Sequence, residues 1–312
     1  MKILLTGANG FVGRSLAQVL RSDDDKVICC SRNAVEQDAD FVVSPSLNAE
    51  ADWQTLLFGV DVVVHVAGKA HNLTESKVIA QRGFKEVNVE GTLRLAEQAL
   101  VANVKRFVFI SSIGVNGLST SGKAFDESSP VAPHADYAES KLEAEQRLRA
   151  LTQGSSMELV IIRPPLVYAA HAPGNFQRLL KVVIAGVPLP FAMIDNQRSM
   201  IALENLVDFI RVCVKHPNAA NNLFLVSDGE DLSIGEIVTL LSRGMEKRVR
   251  LIAIPPRILS LGATLLGRRT MYEQLCGSLV IDSSKSRSAL GWIPVVSPQQ
   301  ALFEAGRKFK SL

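Results

Sequence analysis

Apolar residues arrive along this chain in short, dense bursts separated by longer amphipathic stretches. Six bursts stand out: KILLTG from Lys2, KVICCS from Lys26, DFVVS from Asp40, DVVVHVA from Asp61, RFVFISS from Arg106 and ELVIIRP from Glu158. Their nearly continuous apolar character is that of parallel strands covered on both faces, not of strands with one wet side. Between them, FVGRSLAQVLRSD, VNVEGTLRLAEQALVAN and YAESKLEAEQRLRALTQ repeat apolar positions at helical spacing. The alternation predicts an α/β fold with a doubly wound parallel sheet.

The rhythm changes after Arg163-Pro164, where prolines and glycines cluster as far as Pro190. This predicts a main unit over residues 1–165 and a smaller carboxy-terminal lobe formed mainly by 166–195 and 223–312. Residues 196–222 are expected to return to the main unit, with MIALENLVDFIRVCVKH adding a strand and a helix to its sheet.

Composition narrows the picture. In 312 residues, 47% hydrophobic content allows a sizeable core, and 34 basic residues interspersed with 31 acidic ones leave a net charge of only +3. Nucleic-acid binding calls for clustered basic residues, and the one run of note, RGMEKRVR from Arg243, reads as a solvated face. Gly7 follows the first residues too soon for the apolar core of a signal peptide, and no apolar run approaches the ~20 residues of a membrane span. The expectation is a cytoplasmic protein with neither membrane insertion nor a nucleic-acid partner. Cys29, Cys30, Cys213 and Cys276 lack metal-ligand spacing and read as reduced thiols; no metal is expected.

The first strand runs directly into LTGANGFVG. Gly7 permits a tight bend, Gly10 lets a pyrophosphate approach the backbone, and Gly13 lets the next helix pack closely. Phosphates at the amino terminus of that helix meet free N–H groups and the positive end of its dipole. A glycine pattern alone is weak, but strand before and helix after make a Rossmann-type dinucleotide turn the better reading. An Asp or Glu closing the second strand would hold the ribose hydroxyls of NAD. Here Ser31 and Arg32 stand instead, a hydroxyl and a guanidinium suited to a 2′-phosphate, which favours NADP weakly over NAD.

Tyr137 and Lys141 lie four residues apart, on one face of a helix. An unperturbed phenol, with a pKa of about 10, is a poor acid–base group at neutral pH; a nearby ammonium is expected to lower it toward the working range. The strand RFVFISS ends in Ser111 and Ser112, where a hydroxyl can meet a substrate oxygen. Taken singly, such a pair is usually an exposed helix face; the dinucleotide turn and the serines raise it to a catalytic constellation.

Together these residues resemble the extended short-chain dehydrogenase/reductase family, its NAD-dependent epimerase/dehydratase branch. The likeness covers nearly the whole chain: TGANGFVG, DVVVHVAG, VNVEGTLRLAEQA with Asn88 and Thr92, ISSIGVNG, YAESK, IIRPPLVY, QRSMIALENLVD and SKSRSALGWIP. The resemblance implies Tyr137 as the acid–base residue, Lys141 as its electrostatic partner and a ribose contact, and Ser112 as the hydroxyl that orients the sugar. It implies cofactor contacts from Gly7, Asn9, Gly10, Phe11, Val12, Gly13, Ser31, Arg32, Ala67, Gly68, Asn88, Ser111, Tyr137, Lys141 and Pro164. Substrate contacts follow at Ser112, Asn116, Tyr137, Asn175 and Arg198, with Arg268 or Arg269 as a second guanidinium on the diphosphate and Phe176 beside the uracil. A guanidinium suits a pyrophosphate through paired hydrogen bonds.

Three departures from the family pattern point to atypical adenosine binding and substrate choice: Asn116 for a tyrosine, Ser31 for an acidic residue, and Ser46-Leu47 for Asp-Leu. VNG, RPPLVY and NQRS look most like bacterial enzymes acting at C4 of UDP-N-acetylhexosamines, or their 4-keto forms, in surface-polysaccharide synthesis. Elsewhere, His65 reads as a core histidine, Lys69 and His71 as residues that could reach the site, His134 as a solvated loop residue and Trp292 as a packing anchor. The helices over 88–102 and 137–152 resemble the family's dimer helices and imply a homodimer. On the second, Glu143, Glu145 and Arg147 are expected to keep one face wet.

The function expected is NAD(P)-dependent redox chemistry at C4 of a UDP-hexose or UDP-N-acetylhexosamine, leaning to 4-keto-sugar reduction. The alternative is a UDP-glucose/UDP-N-acetylglucosamine 4-epimerase that retains NAD. A non-catalytic dinucleotide sensor is remote, because Ser112, Tyr137 and Lys141 are all present. A dehydratase is disfavoured because Ile113-Gly114 offers no carboxylate.

Overall fold

All six apolar bursts become strands, and all run parallel. The computed structural model describes residues 1–33, 41–70 and 77–311. In chain order, β1 (Lys2–Thr6), α1 (Phe11–Ser22), β2 (Lys26–Ser31), β3 (Phe41–Val43), α2 (Gln54–Leu57) and β4 (Val62–His65) are followed by α3 (Lys77–Phe84). A π-helical segment (Lys85–Glu90) then leads directly into α4 (Gly91–Val101), β5 (Arg106–Ile110), α5 (Asp136–Thr152) and β6 (Glu158–Arg163). The remainder comprises β7 (Leu166–Tyr168), α6 (Asn175–Ile184), β8 (Met200–Ala202), α7 (Leu203–Lys215), β9 (Leu223–Leu225) and α8 (Ile234–Gly244). After these come α9 (Pro256–Leu265), α10 (Arg269–Cys276), α11 (Ser284–Leu290) and α12 (Pro298–Lys310).

The main sheet has the order β3-β2-β1-β4-β5-β6-β9. Neighbouring residues of each strand feed opposite cores, as strand geometry requires. Ile3 and Leu5 pack with Val62, Val64, Leu16 and Leu20 on the α1–α7 side; Leu4 and Val63 pack with Phe107, Leu93 and Leu148 on the α4–α5 side. The strand order reverses between β1 and β4, and the crevice beyond the carboxyl ends at such a point is where ligands of open α/β sheets bind. A third core, including Tyr168, Phe176, Leu180, Ile237 and Leu302, holds the carboxy-terminal lobe.

Two placements differ from the sequence reading. β8, the strand of MIALENLVDFIRVCVKH, pairs with β7 in a separate two-stranded ribbon, while β9 from residue 223 onward becomes the seventh strand of the main sheet. α7 packs Leu206, Phe209 and Ile210 into the first core, where Ile201 of β8 joins them. Strands of three residues carry too little periodicity to declare their partner. Glu145 is fully buried, so the wet face expected on α5 is interrupted there.

Candidate active site

At the first turn Gly7 takes φ +70°, the left-handed region that glycine enters without strain. A Cβ there would lie 2.7 Å from the Ala67 nitrogen, and a Cβ on Gly13 would overlap the Gly7 carbonyl oxygen. The three segments therefore meet at a closeness only glycines permit. Gly10 caps α1 with no side-chain hydrogen bond, which leaves the N–H groups of Phe11, Val12 and Gly13 outside the intrahelical ladder. This backbone cradle fits a pyrophosphate. Asn9 accepts from Arg14 Nε at 2.8 Å, and Phe11 meets His171 edge-on, centroids 5.2 Å apart. At the end of β2, Ser31 is buried and Arg32 exposed.

Ala67 and Gly68 follow β4. A Cβ on Gly68 would come within 3.1 Å of Asn88 Oδ1 and 3.4 Å of Lys141 Nζ, so this loop lies against the head of the lysine. Asn88, in the π-helical segment, fixes the loop: it accepts from Lys69 N at 2.7 Å and donates to Lys69 O at 3.1 Å and to Ser140 Oγ at 3.0 Å. Its side chain holds the loop to α5. Such wide turns occur often at functional sites.

Lys141 is buried, donates to Ile110 O at 2.9 Å and stands 4.6 Å from the centre of the Phe109 ring. Burial lowers its pKa to about 8, opposed by the Glu145 charge. Tyr137 is half-buried, edge-on to Phe84 with centroids 6.0 Å apart, and burial pushes its phenol up to about 12. This is opposite to the lowering expected from the Tyr-x-x-x-Lys spacing: the ammonium is directed at the end of β5, and desolvation governs the phenol. Ser112 Oγ accepts from Gly114 N at 3.1 Å and caps the short turn Ile113–Val115. Pro164 O accepts from Ile113 N at 3.0 Å and joins that turn to the end of β6.

Beneath these residues lies a buried polar network that the sequence reading missed. Glu145 accepts from Arg163 Nε at 2.8 Å and from Arg163 Nη2 at 2.5 Å; Ser111 Oγ donates to it at 2.5 Å. Arg163 Nη1 donates to Asn116 Oδ1 at 2.9 Å, and Asn116 Nδ2 is buried without a partner. The side chains of Ser111 and Asn116, expected at cofactor and substrate, thus face this network. The one signal for it in the sequence is Arg163, which ends an otherwise apolar run; Glu145, between Glu143 and Arg147, reads as surface.

A cavity of about 280 Å³ opens between the sheet and the lobe. Ser112, His134, Asn175, Phe176 and Arg198 line it, joined by Gln274 and Leu275 of α10. Arg198 donates to Gly277 O at 2.8 Å, and burial lowers its pKa. Asn175 donates to Gln274 Oε1 at 3.0 Å; nothing in the sequence marked Gln274. Arg268 and Arg269 are not on this wall: both are exposed at the start of α10, and Arg269 pairs with Glu273 at 2.9 Å. His134 is exposed at the cavity.

His65 is fully buried, with Nδ1 2.7 Å from Thr6 Oγ1 and Nε2 2.9 Å from Thr92 Oγ1. Burial, with the Lys141 charge adding to it, drops its pKa to about 3. Trp292 packs on Phe209, centroids 5.0 Å apart, and donates to Asp208 Oδ2 at 2.9 Å. Lys69 lies over Gly83, and His71 falls outside the described residues. Among the described residues no cluster of three or more His, Cys, Asp or Glu could hold a metal, and no helix is long and apolar enough to cross a membrane.

A seven-stranded parallel sheet covered by helices, with a glycine turn leading from β1 into α1 and a helical carboxy-terminal region, is the short-chain dehydrogenase/reductase fold. Residues 3–235 match the NAD dependent epimerase/dehydratase family, and the chain belongs to it. It is 40% identical over 311 residues to a UDP-glucose 4-epimerase of Vibrio cholerae, covering 98% of this chain and 95% of the relative. It is also 26% identical to the N-acetyl-alpha-D-glucosaminyl-diphospho-ditrans,octacis-undecaprenol 4-epimerase of Escherichia coli O157:H7, covering 96% and 92%. The fold superposes on UDP-glucuronic acid 4-epimerase from Bacillus cereus in complex with NAD, with TM-score 0.80, 21% identity and coverage of 100% and 99%.

Proposed function

We propose that this protein is a nucleotide-sugar 4-epimerase that uses a nicotinamide dinucleotide and acts on a UDP-hexose or UDP-N-acetylhexosamine. The observation that carries the reading is the shared cavity. Ser112 and Arg198, a half-buried guanidinium bound to a backbone carbonyl, both line it. A sugar held by its diphosphate at Arg198 and Asn175 would present its ring toward Ser112. The near full-length likeness to a UDP-glucose 4-epimerase supports the same substrate class.

The turn residues Gly7, Gly10, Phe11, Val12 and Gly13 would hold the pyrophosphate, and Ala67, Gly68 and Lys141 the nicotinamide half. When bound, the dinucleotide supplies a hydride acceptor and donor. Ser112 Oγ accepts from or donates to the C4 oxygen and fixes its position. Tyr137, as the phenolate, takes the C4 hydroxyl proton to become the phenol and later returns it, and the positive charge of Lys141, one turn along α5, favours the phenolate form that starts the cycle. Asn88 keeps the Gly68 loop in place, and the Glu145–Arg163 network holds the ends of β5 and β6 against α5. Apart from β9, residues 166–195 and 223–312 shape the sugar side.

A second reading, 4-keto-sugar reduction, is favoured by two features. The Tyr137 phenol, raised to about 12, is a proton donor at neutral pH, and exposed Arg32 suits the 2′-phosphate of NADPH. Incubation with UDP-GlcNAc and UDP-GalNAc tests the choice. Interconversion with no added cofactor, lost in Tyr137→Phe, supports the epimerase; NADPH consumption on a UDP-4-keto-sugar without interconversion supports the reductase. Turnover unchanged in Tyr137→Phe removes the site assignment altogether. We also propose a homodimer through α4 and α5, to be read by sedimentation velocity.

A further inference from the structure

We propose that the α9–α10 hairpin docks this protein on an anionic lipid surface, without spanning it. Neither helix has a single buried residue. Ile258, Leu261 and Leu265, at helical spacings of three and four, are 60%, 62% and 80% exposed, and Leu266 and Met271 extend the apolar patch past the turn. Isolated exposed leucines are ordinary; five exposed apolar side chains on one hairpin, three of them at helical spacing, are the mark of an interaction face.

The hairpin is a formed element. Tyr272 Oη donates to Pro256 O at 3.1 Å and ties the two helices together, while Leu259 and Leu275 pack on the core of the lobe. Its apolar stripe is therefore presented by a seated base.

Charge selects the occupant. From Lys247 to Cys276 the chain carries six basic residues and one carboxylate, Glu273, which pairs with Arg269; Lys247, Arg248, Arg250, Arg257 and Arg268 are exposed as well. A second copy meeting this face would bring a second net-positive surface against it, with Glu273 as the one carboxylate of the hairpin and already paired with Arg269. Anionic headgroups complement the same arrangement, with leucines entering the acyl boundary and guanidinium groups meeting phosphates. Gln274 and Leu275, one turn beyond Met271, line the cavity, so docking brings the candidate active site to the membrane surface.

The test is co-sedimentation of the full chain with vesicles of phosphatidylcholine alone or mixed with phosphatidylglycerol. Binding to the anionic vesicles should exceed binding to the neutral ones at least tenfold at low salt and weaken as salt rises. The double variant Leu261→Glu/Leu265→Glu, and separately Arg257→Glu/Arg268→Glu, should each lose at least tenfold while keeping the parent's urea midpoint. Equal sedimentation with both vesicle types, or variants that bind like the parent, would overturn the proposal. So would a dimer dissolved by the leucine variants in a protein that binds neither vesicle. Sugar turnover is not a readout here, so failure of this test leaves the epimerase reading standing.

Discussion

Glu145 and Arg163 form a two-bond ion pair sealed from solvent, Nε to Oε1 at 2.8 Å and Nη2 to Oε2 at 2.5 Å, at the point where α5 crosses the carboxyl ends of β5 and β6. Removing one member strands the other charge in a dry interior, which costs about 3–5 kcal/mol. Glu145→Ala should therefore lower the urea unfolding free energy by about that much. Glu145→Leu with Arg163→Met, which buries no charge, should recover much of the loss. A loss below about 1 kcal/mol in the single variant would show that the pair is solvated in solution.

Acid should destabilise the protein through His65. The folded imidazole stays neutral down to about pH 3, whereas an unfolded one protonates near 6.5. Between those values the unfolded chain binds more protons, so stability is present above pH 6.5 and is lost as pH falls toward 3. Against His65→Gln, the wild type should lose about 1.4 kcal/mol per pH unit below 6.5. A difference that does not change with pH would mean that the ring is charged when folded.

Arg32 should decide between the two dinucleotides. If its guanidinium receives a 2′-phosphate, Arg32→Ala should weaken NADPH binding about tenfold or more, near the 1.5–3 kcal/mol typical of a charged hydrogen bond, and leave NADH almost unchanged. Fluorescence titration of each reduced cofactor reads this directly. Equal weakening of both would assign Arg32 to the adenine face.

Gly13→Ala introduces a Cβ that overlaps the Gly7 carbonyl. The helix must move away from the turn, at a cost of about 1–3 kcal/mol as for other overpacked sites. The cradle opens with it, so NADH binding should fall more steeply than stability does. A variant that binds NADH normally would show that the pyrophosphate does not use this turn.

Five of the six legible strands run four to six residues and declare themselves in continuous apolar residues, and β3, with three, showed in the run DFVVS. β7, β8 and β9 are three residues each, and their pairing is decided by contacts far away in sequence; this is why β8 was expected in the main sheet and β9 outside it. Ser112, Asn175, Phe176 and Arg198, which line one cavity, each sit in a motif that singled them out in the sequence. Glu145 was not singled out, because on a helix surface a carboxylate beside Glu143 and Arg147 reads as wet; only the arginine at the end of β6 gives it a buried partner. Tyr137 shows the same limit: sequence spacing gives the angle between two side chains, not the dehydration that sets their pKa values.

The π-helical segment at Lys85–Glu90 is a phase shift written into an otherwise continuous rod from α3 to α4. Before it, Phe84 leans on Tyr137; within it, Asn88 fastens the Gly68 loop; after it, Thr92 reaches His65. A regular α-helix turns about 100° per residue, so deleting one residue here would leave the two ends out of step by roughly that angle. One surplus residue thus keeps three separate appointments along a single axis.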